Sequence, residues 1–245
     1  MPIEKYHKNY SPTLNRDMES IVFGDKGKVC FVIPSQNGRF FDFKNFGMIE
    51  PFSPWIEKGD IKLVCIDSID NETWSDENKN PKNRIELHER WFQYIIDELV
   101  PAFVPKGEKA MVTGCSMGAV HSGILFFRRP DIFNTILALS GLYNAQYFFH
   151  EYMDGLVYDN SPVHFLQNMP DNHPWLELYR KSKIIACVGQ GAYEDDLLYG
   201  TRELDRILTQ KNIPHQFDYW GYDVSHDWYW WKKQFSYFLE QIFDA

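Results

Sequence analysis

The sequence lacks long apolar segments and has few basic residues. No stretch of the chain approaches the roughly 18 consecutive apolar residues of a membrane-spanning helix. Lysine and arginine total 25 against 34 acidic residues, which gives a formal net charge of −9. Nucleic acids and anionic membranes are bound through clustered positive charge. We therefore expect neither nucleic acid nor a membrane surface among the partners.

Cysteine is also scarce, and its pattern is not that of a metal site. The four cysteines lie in or beside apolar runs, at Cys30, Cys65, Cys115 and Cys187. The sequence contains no CxxC motif and no cluster of cysteine with histidine. A reduced thiol in an apolar run behaves as a small hydrophobic side chain. We expect four buried free thiols and no metal.

We also expect no signal peptide and no linker between domains. The initial residues, MPIEK, lack the apolar core of a signal peptide, so a cytoplasmic location is expected. No repeat or low-complexity segment divides the chain, and 44% of its residues are hydrophobic. This composition predicts a single domain over residues 1–245 with a substantial core.

Short apolar runs alternate with helical segments along the chain. The runs that we interpret as core strands are 29–33, 61–66, 109–113, 135–140, 184–188 and 215–220. Such alternation is typical of a mostly parallel sheet covered by helices on both faces, and it predicts an α/β fold. Residues 6–10 and 18–24 favour an antiparallel edge pair. Residues 141–182 show no long periodic segment and predict a small cover of short helices.

The motif GCSMG at 114–118 contains the strongest chemical signal. It lies between an apolar run and a helical run of small residues that begins at Met117. In a G-x-S-x-G nucleophile elbow, the serine occupies a strained strand-to-helix turn that exposes its hydroxyl above the sheet. The residue before the serine, here Cys115, normally points away from the site. The motif predicts that Ser116 is the nucleophile of a serine hydrolase.

A serine nucleophile needs a base, and in this fold the acid and then the histidine follow the serine along the chain. His226 lies between the last predicted strand and the last predicted helix, where the base is expected. The other histidines occupy positions that suit packing or surface roles better. Glu194, Asp195 and Asp196 follow the strand before it, and each of them has the chemistry to orient a histidine.

An oxyanion hole requires two N–H donors aimed at the developing negative charge. The backbone amide of Met117, directly after the nucleophile, is expected to be one of them. The second is expected in the turn after the first core strand, at 35–38, where we favour Gln36. Because backbone groups do this work, the side chains of the turn give little information.

Together these motifs resemble the putative-esterase branch of the α/β-hydrolases, which includes S-formylglutathione hydrolase-like esterases and the mycobacterial mycolyltransferases. The resemblance extends over essentially the whole chain and rests on residues 114–119, 140–143, 189–195 and 226–231. It implies an α/β-hydrolase fold. In that family the acid follows a glycine-bearing turn and precedes a helix containing an arginine. Asp195 and Arg202 match this pattern, so the resemblance implies Asp195 as the acid.

The expected activity is hydrolysis of a small-molecule carboxylic ester through an acyl-enzyme intermediate. Ser116, Asp195 and His226 form the expected triad, and the chemistry needs no cofactor. Within the family, the alternative is transfer of the acyl group to an alcohol or a thiol by the same triad. From another class, the alternative is an inactive α/β-hydrolase that acts as a binding module. The edge strand and exposed aromatic residues are compatible with a homo-oligomer.

Aromatic residues form 17% of the chain, well above ordinary usage. Most of them must lie in the core, and the surplus is available to line a pocket. For five aromatic residues the sequence does not decide between the core and the pocket lining, namely Trp74, Tyr143, Tyr147, Phe148 and Phe149.

Overall fold

A mixed eight-stranded sheet runs through the computed structural model, which describes residues 3–244. Its strands are β1 (Glu4–Ser11), β2 (Arg16–Phe23), β3 (Lys28–Ile33), β4 (Ile61–Ile66), β5 (Ala110–Cys115), β6 (Phe133–Leu139), β7 (Lys183–Val188) and β8 (Gln216–Tyr219). They are arranged in the order β1-β2-β4-β3-β5-β6-β7-β8. Strands β3 to β8 pair in parallel, and β1 and β2 add an antiparallel edge. The mostly parallel sheet and its antiparallel edge pair are confirmed.

Helices make up about half of the remaining described residues. They are α1 (Asp42–Asn45), α2 (Ser53–Lys58), α3 (Pro81–Tyr94), α4 (Val100–Phe103), α5 (Met117–Arg128), α6 (Gln146–Phe149), α7 (Gly155–Asp159), α8 (Pro162–Gln167), α9 (Trp175–Arg180), α10 (Asp195–Gln210) and α11 (Trp228–Phe243). Short 3-10 turns occupy Glu50–Phe52 and Asp70–Glu72, and a π-helical turn occupies Ile95–Leu99. Within residues 3–244, no helix combines the length and apolar character that a membrane crossing requires.

Both faces of the sheet are covered because successive strand residues point to opposite sides. On β3, Phe31 and Ile33 belong to a core cluster shared with α3, α5 and α10. Cys30 and Val32 belong to a second cluster, shared with α1, α2 and α11. The expected α/β architecture with helices on both faces is therefore confirmed.

The segment between β6 and β7 contains four short helices, α6 to α9. Helix α8 contacts α5 and α10, and α7 contacts α3. Buried residues of the segment, among them Phe149, Leu166 and Tyr179, join the core cluster that contains α5. The short helices thus cover the sheet face on which α5 lies.

The long crossover helix ends at Phe103, which agrees with the apolar periodicity of residues 84–103 in the sequence. In the structure, α3, the π-helical turn and α4 follow one another directly, and Pro101 lies in the first turn of α4.

All four cysteines are free and buried, as expected. Burial raises the pKa of each thiol above its ordinary value. Since the thiolate is the reactive form, both inaccessibility and the high pKa suppress reaction.

We therefore predict that the native protein resists a thiol-modifying reagent at about pH 8, where an ordinary exposed cysteine is partly ionised. After denaturation, all four thiols should react. Colorimetric titration with an aromatic disulfide reagent counts the reactive thiols in the native and in the denatured protein. Rapid modification of any cysteine in the native protein would contradict the buried placement.

Candidate active site

Ser116 occupies the sharp turn between β5 and α5. Its backbone angles are φ 57° and ψ −125°, a combination that side-chain-bearing residues rarely adopt. The turn is also closely packed. A Cβ on Gly118 would lie 2.3 Å from the carbonyl oxygen of Ile33, and a Cβ on Gly114 would lie 2.4 Å from the backbone of Gly118. Both glycines of the motif are therefore needed for the turn that displays the serine.

His226 lies next to Ser116, although 110 residues separate the two along the chain. The Nε2 atom of His226 is 2.9 Å from the Oγ atom of Ser116. The loop that contains His226 is held against the loop after β7 by backbone hydrogen bonds. The amide of His226 donates to the carbonyl of Ala192, and the amide of Gly191 donates to the carbonyl of Val224. These bonds fix the histidine over the serine.

The carboxylate beside His226 belongs to Glu194, so the expectation of Asp195 is corrected. Glu194 Oε2 lies 3.3 Å from His226 Nδ1, and the side chain of Glu194 is fully buried. Asp195 is the first residue of α10, and it is exposed. Among the described contacts, none joins Asp195 to His226. Glu194, the alternative that the carboxylate run left open, is the carboxylate that contacts the imidazole.

The backbone before α10 explains why Glu194, and not one of the next two carboxylates, faces His226. Tyr193 has a φ of 64°, in the left-handed region, and the amide of Glu194 donates to the carbonyl of Gly191. This tight turn directs Glu194 inward and leaves the next residue, at the start of the helix, facing solvent. A run of three carboxylates in the sequence does not reveal such a turn. The sequence alone therefore did not decide which residue of the run lies beside the histidine.

Two side chains that sequence reasoning did not assign hold this carboxylate in place. The hydroxyl of Ser140, just after β6, donates to Glu194 Oε1 at 2.6 Å. The same hydroxyl oxygen accepts a hydrogen bond from Trp231 Nε1 at 3.0 Å. The ring of Trp231 also packs edge-on against His226, with centroids 4.8 Å apart. Both residues lie in segments that carry the family resemblance, which was the only sequence signal for them.

Gln36 and Met117, the predicted oxyanion donors, lie beside the serine. Both residues line the same cavity as Ser116, which has a volume of about 220 Å³. Met117 is the first residue of α5, and the first amides of a helix have no acceptor within it. Gln36 lies in the turn after β3. The structure thus brings both donor-bearing segments to the nucleophile.

The cavity is mainly apolar and aromatic. Of the five aromatic residues left open by the sequence, Tyr147 and Phe148 line it. The other three, Trp74, Tyr143 and Phe149, are buried in the core. The remaining lining residues are Val120, Leu142, Tyr193, Asp196 and Leu197.

Cys115 does not face this cavity, although it precedes the nucleophile. It is buried in the core cluster on the opposite side of the sheet, among residues of α1, α2 and α11. Burial, with a smaller effect from the charge of Glu194, holds the pKa of its thiol well above the ordinary value. In the part of the chain that the structure describes, no three His, Cys, Asp or Glu side chains are grouped to hold a metal ion.

Solved structures of several esterases resemble the whole chain. A ferulic acid esterase has a TM-score of 0.75 at 16% identity, with 99% of this chain and 100% of the other covered. An S-formylglutathione hydrolase from Staphylococcus aureus has a TM-score of 0.73 at 15% identity, with 99% of each chain covered. A second, from Agrobacterium tumefaciens, has a TM-score of 0.75 at 13% identity, with 98% and 94% covered. At these identities the likeness shows a shared α/β-hydrolase fold.

Sequence comparison identifies the family. No curated protein sequence matches the chain significantly. A family model described as Putative esterase matches residues 11–242, nearly the full length. The elbow, the histidine loop and the buried glutamate all lie within the matched range. The chain therefore belongs to this esterase family of α/β-hydrolase enzymes, as its motifs implied.

Proposed function

We propose that the protein hydrolyses carboxylic esters of small molecules through an acyl-enzyme intermediate on Ser116. The 2.9 Å contact between His226 Nε2 and Ser116 Oγ supports this proposal most strongly, since Ser116 also lines a mainly apolar cavity. Family membership supplies the class of reaction. The contact supplies a base within reach of the proton that the nucleophile must lose.

In the first step, Ser116 Oγ attacks the ester carbonyl while His226 Nε2 accepts the hydroxyl proton. The proton on Nδ1 then faces the carboxylate of Glu194, which fixes this tautomer and stabilises the imidazolium that forms. The hydroxyl of Ser140 donates a hydrogen bond to the other oxygen of Glu194, which holds the carboxylate in one orientation.

The negative charge on the carbonyl oxygen is then stabilised by the backbone amides of Met117 and Gln36. His226 returns its proton to the leaving alcohol, which breaks the ester bond and leaves the acyl group on Ser116. A water molecule repeats the sequence, with His226 again acting as base, and releases the carboxylic acid. Each proton moves between groups of this chain and the substrate, so the reaction requires no cofactor.

The cavity favours an acyl group of limited size. Its volume of about 220 Å³ is below the roughly 300–1,000 Å³ that is usual for drug-sized ligands. Leu142, Phe148 and Leu197 give it an apolar surface. We therefore propose esters of short acyl groups as substrates, with the alcohol portion extending past Tyr193 towards solvent.

Replacement of the nucleophile tests the proposal directly. We predict that p-nitrophenyl esters are hydrolysed, fastest for short chains, and that Ser116→Ala lowers kcat by at least about 10³-fold because no other group supplies the nucleophile. Release of p-nitrophenol measures both effects. Ser182→Ala, remote from the cavity, is the control and should retain wild-type activity. Equal activity of Ser116→Ala and the wild type would refute the mechanism.

A second experiment separates the two neighbouring carboxylates. Glu194→Gln keeps the shape of the side chain but removes its charge, so we predict a fall in kcat of about 10²- to 10⁴-fold. Asp195→Asn makes the same chemical change at an exposed position and should change kcat by less than about twofold. Steady-state kinetics on one short ester compares the pair. The reverse order of effects would restore Asp195 as the acid.

The same assay distinguishes hydrolysis from acyl transfer. With a simple alcohol or thiol added, we expect the released carboxylic acid to account for the ester consumed. Quantification of both products by chromatography measures the partition. A transfer product that predominates over the acid at low acceptor concentration would identify the protein as an acyltransferase instead.

A further inference from the structure

A cluster of buried polar side chains lies next to the site, and the mechanism does not use it. It consists of Asp70, Trp74, His88 and His121, each of which is no more than 2% exposed. The rings of His88 and His121 stack with centroids 5.0 Å apart, and Trp74 packs edge-on against both. One polar atom of each residue lacks a hydrogen-bond partner. Such groups are costly in a core, so their function needs an explanation.

The carboxylate of Asp70 fixes the turn that contains Gln36. Asp70 Oδ2 accepts hydrogen bonds from the backbone amide of Asn37 at 3.0 Å and from the hydroxyl of Ser75 at 2.6 Å. Ser75 Oγ in turn accepts a hydrogen bond from the side-chain amide of Gln36 at 3.0 Å. Asn37 has a φ of 55°, a left-handed conformation that needs such support. One carboxylate therefore restrains both the backbone and the side chain of this turn.

The other oxygen of Asp70 faces the helix of the nucleophile. Asp70 Oδ1 lies 3.5 Å from Nε2 of His121, which belongs to α5. His121 is four residues after Met117, about one helical turn away, on the helix whose first residue, Met117, lines the cavity. Asp70 thus lies between the two segments that contain the donors, the turn after β3 and the start of α5.

The ionisation states fit this bridging position. Burial raises the pKa of Asp70, but the nearby His121 ring and the hydrogen bonds from Ser75 and Asn37 outweigh it and leave the pKa below the ordinary value. Asp70 is therefore a carboxylate at neutral pH, hydrogen-bonded through Oδ2 and in contact with the His121 ring through Oδ1. Burial, with a further effect from His121, holds the pKa of His88 well below its ordinary value, so His88 is neutral.

We propose that Asp70 and His121 are positioning residues that hold the oxyanion donors at Gln36 and Met117 in register. This inference rests on the proposed function. Neither residue touches the substrate; each acts through the backbone segment that it restrains. A donor stabilises the transition state only when its N–H points at the oxygen on which charge develops. Loosening the bridge should therefore slow the chemical step and leave binding of the uncharged ester nearly unchanged.

Asp70→Asn tests the bridge with the least change in shape. Loss of one full donor costs about 10²- to 10³-fold in kcat, so we expect misalignment in Asp70→Asn to lower kcat by about 10- to 100-fold. KM should stay within about threefold of the wild-type value. A trifluoromethyl ketone, which forms a charged tetrahedral adduct with the serine, should lose affinity by the same factor as kcat/KM. Residues that only support the fold would not produce this parallel loss.

A matched pair at His121 provides the rescue test. His121→Gln keeps an N–H group near the position of Nε2, so kcat should stay within about fivefold of wild type. His121→Leu removes the donor and should lower kcat as Asp70→Asn does. His88→Leu is the control: it alters the same buried cluster without contacting the turn, so it should preserve kcat even if thermal stability falls. Equal kcat values for the two His121 variants would overturn the proposal.

The outcomes separate this inference from the proposed function. If the wild type is active and Ser116→Ala is not, wild-type kcat in a folded Asp70→Asn protein overturns the positioning role alone. A wild-type protein that hydrolyses no ester and takes up no fluorophosphonate overturns both proposals. If circular dichroism shows that the Asp70→Asn protein is unfolded, Ser75→Ala tests the positioning role instead, because Ser75 links Asp70 to Gln36. We expect about a three- to tenfold fall in its kcat at constant KM, and an unchanged kcat contradicts the proposal.

Discussion

A buried carboxylate is tolerated only when hydrogen bonds replace its lost hydration, and the proposed catalytic geometry depends on how Glu194 meets this requirement. Its two oxygens are satisfied by Ser140 at 2.6 Å and by His226 at 3.3 Å. The three residues follow β6, β7 and β8, which are neighbours in the sheet and run in parallel. The carboxyl ends of these strands therefore lie side by side, so the strand order itself brings Ser140, Glu194 and His226 together.

The site has a second buried carboxylate on the other side of the nucleophile. Glu194 faces the base, whereas Asp70 faces the turn after β3 and the helix that follows Ser116. Strand β5, which ends at the elbow, lies between β3 and β6 in the sheet. In this account, each acidic residue fixes one half of the machinery: one orients the proton acceptor, and the other aligns the donors that meet the developing charge.

The sequence predicted the features that depend on local pattern. The apolar runs marked the core strands, and GCSMG marked the turn that holds Ser116. The position of His226 followed from chain order. The structure places Glu194 rather than Asp195 beside His226. This placement depends on a left-handed backbone at Tyr193, which no periodicity in the sequence records. The contact of Asp70 with His121 was not predictable either. Asp70 lies in a 3-10 turn and His121 in α5, and only the folded chain brings them together.

The central claim is that an acyl group resides on Ser116 during turnover. Rapid acid quenching of the enzyme with p-nitrophenyl acetate, followed by peptide mapping in a mass spectrometer, tests it most directly. The account predicts one acetyl group on the peptide that contains Ser116, and none on the same peptide of Ser116→Ala. An acetyl group found on another residue, or rapid hydrolysis without any covalent adduct and without loss in Ser116→Ala, would contradict it.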